Sequence, residues 1–186
     1  MNETLHTIST RFACRDYSEQ SVEQEKIERI IKSALQSPSA LNRQPWKIIA
    51  ISNKKLLQEI NDHVLEVIKD LPDQTVYQRT MDRGGNPYYH APVMFLILRN
   101  EMSGKWDEVD CGIVAQNMSL AATSLGLGNV IAAMTATAFE GTRKEEFKAK
   151  VNWPKGYVFG MGLLVGYANS IKVPHEIDSS KVIYVN

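Results

Sequence analysis

"YVFGMGLLVGY", Tyr157 to Tyr167, decides between two folds. Its glycine spacing resembles a dinucleotide-binding turn, which would place the chain among doubly wound α/β proteins. That fingerprint must follow a strand and open a helix, so that the pyrophosphate meets the helix N-terminus. Here the pattern lies inside a strand. Tyr157, Phe159, Met161, Leu163, Val165 and Tyr167 alternate onto one face, and Gly160, Gly162 and Gly166 onto the other. Glycines on one strand face let another segment approach the backbone closely. A second pattern, "GLGNVI" from Gly126, closes a helix instead of opening one, so Gly126 and Gly128 read as C-terminal stops. Both dinucleotide readings fail.

Outward from this strand the elements alternate without a regular βαβ series. "WKIIAIS" (46–52) and "VMFLIL" (93–98) read as buried strands, and "NVIAAM" (129–134) as another. A helix starts at Ser21, with Gln24 completing a capping box and Ile27, Ile30, Ile31, Ala34 and Leu35 on its apolar face. Pro38 ends it. Leu57, Ile60, Val64 and Ile68 mark a second amphipathic helix, and Thr142 with Glu145 caps a short third one. Residues 71–92 lose all periodicity and read as a long mobile loop of the kind that forms lids. The helix from about 106 to 125, with "CGIVAQNMSLAATSLGLG", is apolar all around, so it must be covered on every side, and a partner subunit would supply one cover. "KVIYV" at the end is β-prone but has no assigned neighbour. These elements predict an α+β fold in one domain, 1–186.

Composition removes several functions. Of the 186 residues, 21 are basic and 21 acidic, which leaves no charge excess for nucleic acid. No apolar run is long enough for a membrane span, and the N-terminus lacks a basic region followed by an apolar stretch. Cys14 and Cys111 lie far apart with no histidine at ligand spacing, which argues against zinc or a disulfide framework and fits a cytoplasmic protein. His6, His63, His90 and His175 are scattered, so neither a metal cluster nor a catalytic triad is indicated.

Two features remain. Arg11 and Arg15 are four residues apart, which puts both side chains on one side of either a helix or an extended segment, suited to a shared anion; the alternative is a solvated pair facing Asp16 or Glu19. In "PSALNRQPW", Pro38 to Trp46, the prolines fix the backbone while Ser39, Asn42 and Gln44 offer donors and acceptors suited to the edge of a flat heterocycle. Trp46 itself reads as a core residue. Phosphate anchors and a heterocycle-shaped loop without a protein acid, base or nucleophile describe a cofactor enzyme.

"RFACRDYS", "SALQSPSALNRQPW", the 111–128 helix and "GLLVGYA", in this order, resemble the FMN-dependent nitroreductase family over nearly the whole chain. The resemblance implies a small mixed sheet flanked by helices in an intertwined two-fold homodimer, whose FMN sites draw on both subunits. It places Arg11 and Arg15 on the FMN phosphate with Phe12 and Ala13 between them, and Lys172 as the nearest C-terminal basic residue. It places Pro38, Ser39 and Ala40 against the flavin ring, with Asn42 and Gln44 bonding the flavin or the loop that holds it. Ala132, Ala133 and Met134 would pass the ring by their backbone, and Arg83 or Asn86 would reach the ribityl chain. The implied activity is hydride transfer from NADH or NADPH through the flavin to a nitroaromatic or quinone by a ping-pong mechanism, with no catalytic side chain. Reductive dehalogenases, flavin-fragmenting enzymes and non-catalytic flavin-binding proteins are the alternatives.

Overall fold

The computed structural model describes residues 1–102, 104 and 106–185. Four strands, β1 (Trp46–Ile51), β2 (Val93–Asn100), β3 (Gly128–Ile131) and β4 (Tyr157–Gly166), form one sheet in the order β1-β2-β4-β3. All the named pairs are antiparallel, which corrects the expected mixed sheet; among the described residues parallel pairing is confined to an isolated bridge between Ala13 and Asn129.

Burial follows the strand order. The central β2 is buried from Val93 through Leu98, as its unbroken apolar run requires. β1 lies at the edge, and only its ends, Trp46 and Ile51, are buried, so the reading of a fully buried strand does not hold for this protomer. One face of the sheet carries α3 (Lys54–Lys69), α6 (Lys144–Lys150) and a 3-10 segment, Ala133–Phe139, around Ile60, Val64, Leu96, Phe139 and Phe147. The other carries α2 (Gln24–Leu35) and α5 (Trp106–Ser124) around Ile30, Phe95, Val114, Met118 and Leu163. Buried polar groups tie α5 to β3: the Asn129 amide donates to the Ser119 carbonyl at 3.1 Å and to Thr123 Oγ1 at 3.0 Å.

The expected alternation of β4 breaks at Gly160. Leu98 pairs with Phe159 and Ile97 with Met161, so Gly160 is the extra residue of a bulge. Tyr157 and Phe159 consequently pack on the α3 face, opposite Met161 and Leu163. The glycines do admit close neighbours. A Cβ at Gly166 would lie 2.9 Å from Pro92 Cγ and 3.0 Å from the Tyr17 ring, while Gly162 is covered by Thr135 and Ala132.

Helix ends depart from the sequence reading. Glu23 precedes α2 and Arg143 precedes α6, neither with a side-chain cap, so the boxes assigned to Ser21 and Thr142 do not form. α1 (Glu3–Thr10), which periodicity missed, is capped by Asn2 Oδ1 accepting from Leu5 N–H at 2.9 Å. Residues 71–92 are not an unbroken loop: they contain α4 (Thr75–Met81). At the end of α5, Gly126 takes φ 76° while Leu127 N–H donates to the Ala122 carbonyl at 3.0 Å, a glycine-dependent stop. Gly128 instead opens β3. α5 is not covered on every side within the protomer, for Trp106 and Val109 are exposed. Beyond β4 the chain runs outward, and Ile171, Val173, Ile177, Ile183, Tyr184 and Val185 are exposed; "KVIYV" forms no strand. No helix among the described residues is long and apolar enough to cross a membrane.

Candidate functional site

Residues 11–17 run beside β3 in extended form. Ala13 bridges Asn129, and Cys14 N–H donates to the Asn129 carbonyl at 2.9 Å. Phe12 packs against the core and Cys14 is buried. Arg11 and Arg15, on the alternate positions, form no ion pair among the described residues. Neither Asp16, which accepts from Asn169 Nδ2 at 2.8 Å, nor Glu19 forms an ion pair with them among the described residues. Burial pushes the Cys14 thiol up, and the nearby Lys172 charge opposes the shift. The tail leaves β4 alongside this segment, Asn169 N–H donating to the Asp16 carbonyl at 3.1 Å, and Lys172 follows three residues later in the sequence.

The Pro38–Gln44 loop is built from its own polar groups. Ser39 Oγ accepts Gln44 N–H at 2.9 Å, and Gln44 Nε2 donates to Asn42 Oδ1 at 2.8 Å. Each amide thus satisfies part of the other and keeps further capacity at the surface. Leu41, Asn42 and Gln44 hold φ of 54°, 52° and 48°, sparsely populated for side-chain-bearing residues and concentrated at functional sites. Asp110 on α5, 3% exposed, takes Ala40 N–H on its two oxygens at 3.2 and 3.3 Å. A buried carboxylate thus pins the loop from a helix far away in sequence.

Ala132 to Met134 leave β3 at the start of the 3-10 segment. Ala132 N–H donates to the Gly162 carbonyl at 2.9 Å, and the opening N–H groups of such a segment have no partner inside it. Met134 lines a cavity of about 180 Å3 with Arg79, Arg83 and Tyr89. Arg83 and Met134 are therefore brought together. Asn86 is not: its Oδ1 accepts Tyr88 N–H at 2.9 Å and His90 N–H at 3.2 Å, so it holds its own turn and faces a different cavity. Arg79 and Asp110 were not singled out in the sequence; the four-residue spacing of Arg79 and Arg83 was the available signal. Among the described residues no cluster of three or more His, Cys, Asp or Glu is arranged for a metal.

The profile of the nitroreductase family matches residues 8–167. A nitroreductase with bound FMN from Desulfitobacterium hafniense DCB-2 is 41% identical and superimposes with a TM-score of 0.95, covering 100% of both chains. A nitroreductase with bound FMN from Bacteroides fragilis NCTC 9343, 22% identical with a TM-score of 0.90 and 100% of both chains covered, shares the fold. An NADH dehydrogenase/NAD(P)H nitroreductase, so named, from Methanothermobacter thermautotrophicus is 32% identical over 132 residues, 69% of this chain. The chain spans 59% of that relative's length.

Proposed function

The chain belongs to the nitroreductase family, and on that premise we propose that it is a cytoplasmic, homodimeric FMN-dependent oxidoreductase, acting as one domain. The observation that carries this reading is the pair Arg11 and Arg15 beside β3, which form no ion pair among the described residues. Two guanidinium groups on one segment without carboxylate partners there fit a phosphate, which arginine binds through paired donors.

In this reading Arg11, Arg15 and Lys172 hold the phosphate, and Phe12 and Ala13 contribute by fixing the backbone between the arginines. Arg83, with Arg79, lines the path of the ribityl chain, whereas Asn86 serves only its own turn. Pro38, Ser39 and Ala40 face the flavin ring in a geometry that Asp110 maintains, with the remaining polar capacity of Asn42 and Gln44 toward its edge. Ala133 and Met134 offer backbone N–H groups to the ring, and Ala132, whose N–H is taken by the Gly162 carbonyl, fixes the segment against β4. Bound there, FMN supplies two-electron hydride chemistry from NADH or NADPH to a flat, electron-poor acceptor such as a nitroaromatic or a quinone. The chain supplies positioning and exclusion of water, not a proton donor of its own.

The dimer is part of the proposal. Trp106 and Val109 on α5 and the apolar tail residues are exposed in the protomer, and the reading assigns this apolar surface to contact with a second copy. Titration of apoprotein with FMN tests the site. Arg15→Ala should weaken binding by about 1.5–3 kcal/mol, the scale of a hydrogen bond to a charged group. Unchanged FMN affinity in the Arg11→Ala/Arg15→Ala double variant would remove the phosphate assignment.

A further inference from the structure

Arg79 lies in α4, and beyond the end of that helix Arg83 N–H donates to the Thr80 carbonyl at 3.1 Å, so the chain keeps winding. The continued turn brings both residues to one cavity of about 180 Å3, which Val76, Tyr89 and Met134 also line. Both arginines are exposed, so a ligand entering the cavity reaches them from solvent. Neither forms an ion pair among the described residues. The acids nearest in sequence are engaged elsewhere: Asp73 accepts Thr75 N–H at 2.9 Å and Asp82 accepts from Gln78 Nε2 at 2.9 Å. No acidic residue among those described lines the cavity. Like charges four residues apart along a winding chain repel each other, and an anion between them removes that cost.

The ribityl chain of FMN does not supply that anion. It is a neutral polyol, which can accept a hydrogen bond from a guanidinium but leaves the charge of two without a counterpart. The walls beside the charges are apolar, and Tyr89 forms its wall from a backbone held at φ 57°, a strained conformation of the kind concentrated at functional sites. The volume is below the roughly 300 Å3 at which whole-ligand pockets begin, so the cavity takes one end of a molecule whose remainder lies outside it.

We propose that Arg79 and Arg83 form a subsite for an anionic group on the electron acceptor, so that flat acceptors bearing a carboxylate are preferred over their neutral counterparts. This rests on the reading that the flavin ring lies against Met134, which puts the remainder of the acceptor over the ring. A carboxylate on the edge of an aromatic ring sets its two oxygens against the guanidinium forks and its carbon against Val76, Tyr89 and Met134. A phosphate of the nicotinamide dinucleotide is flanked by sugars, whose hydroxyls would meet those apolar walls without partners.

Calorimetric titration of the oxidised, FMN-loaded full chain with para-nitrobenzoate and with its neutral isostere para-nitrobenzamide tests this, since neither is reduced without a nicotinamide. The acid should bind at least about tenfold more tightly than the amide, a difference of roughly 1.4 kcal/mol. Added salt should weaken the acid alone. With affinities taken per FMN bound, the Arg79→Gln/Arg83→Gln double variant should bring the acid down to the level of the amide, and Arg79→Lys, which keeps the charge, should retain part of the preference. In turnover, kcat/KM for the acid relative to the amide should fall in the double variant through KM; the intrinsic difference in reactivity between the two compounds cancels in the comparison with wild type. Equal affinity of the wild type for acid and amide overturns the proposal, as does a preference that survives in the double variant. A fall in NADPH use relative to NADH with the acid preference intact gives the arginines to the cosubstrate and overturns it too. A wild-type chain that holds no FMN refutes the flavoenzyme reading itself and this proposal with it, whereas each of the other contrary results refutes this proposal alone.

Discussion

Adding one methyl group at Gly162 should loosen the junction between the sheet and the segment that leads to the proposed flavin site. A Cβ there would lie 2.8 Å from Thr135 Cβ and 2.9 Å from the Ala132 carbonyl oxygen, and would overlap Thr135 Oγ1. Thr135 is fully buried and cannot swing away, since its hydroxyl donates to the Ala132 carbonyl at 2.8 Å. The added methyl must push the 133–139 segment off β4 and stretch the 2.9 Å bond from Ala132 N–H to the Gly162 carbonyl. Overpacking costs about 1–3 kcal/mol and the weakened bond about 0.5–1.5, against a gain of about 0.4–1 from the stiffer unfolded chain. Gly162→Ala should therefore lose about 2 kcal/mol, read as a lower midpoint in urea at unchanged slope, and should retain less FMN. Thr135→Gly removes most of the overlapping atoms, so the double variant should cost less than the sum of the two singles. A Gly162→Ala loss under about 0.5 kcal/mol, or strict additivity with Thr135→Gly, would refute the reasoning.

Further outcomes follow from other residues. His63 is buried and stacked on Phe147 at 4.5 Å, and among the described residues neither ring nitrogen has a hydrogen-bond partner, the Glu66 carboxylate standing off at 3.8 Å from Nδ1, so His63→Phe should raise stability by about 1 kcal/mol in urea unfolding; a loss would mean that the contact with Glu66 outweighs the unmet ring nitrogens. Arg143 and Lys150 hold the exposed Glu146 carboxyl down to about 2 from an ordinary 4.5. Its folded-state pKa is depressed, so its contribution is present above 4.5 and lost as pH falls through 2; Glu146→Gln should lower Tm at neutral pH, with the deficit vanishing near pH 2. A deficit independent of pH would contradict that assignment. Val109→Glu alters an exposed α5 position outside the protomer core, and if the proposed dimer uses this face, sedimentation should show a dimer for wild type and a folded monomer for the variant; an intact dimer in the variant would move the interface elsewhere.

The sequence made β2, α2 and α3 legible because their buried residues recur at the period of the element. It left α1 and α4 illegible for the same physical reason: α1 buries no residue and α4 only Thr80, so neither imprints an apolar stripe. The bulge at Gly160 was hidden because an extra residue in a strand changes the phase without changing the composition, and the side of Tyr157 and Phe159 was misread with it. The Pro38–Gln44 loop stood out by its residue types, but its anchor did not, since Asp110 comes from a helix otherwise read as apolar. Arg79 was lost with α4. Arg11 and Arg15 could be paired by spacing alone, whereas the return of the tail past Tyr17 and Asp16 depends on pairing between distant parts of the chain.

Whether the chain is a flavoenzyme is tested most directly by mixing the purified, FMN-loaded protein with NADH or NADPH without oxygen and following the visible flavin absorbance in a stopped-flow instrument. The account expects rapid bleaching by at least one nicotinamide, full recovery of colour on adding a quinone or nitroaromatic, and parallel double-reciprocal lines in the steady state. Colour that is lost only to dithionite, and that neither nicotinamide discharges, would contradict it and leave a flavin-binding protein without this activity.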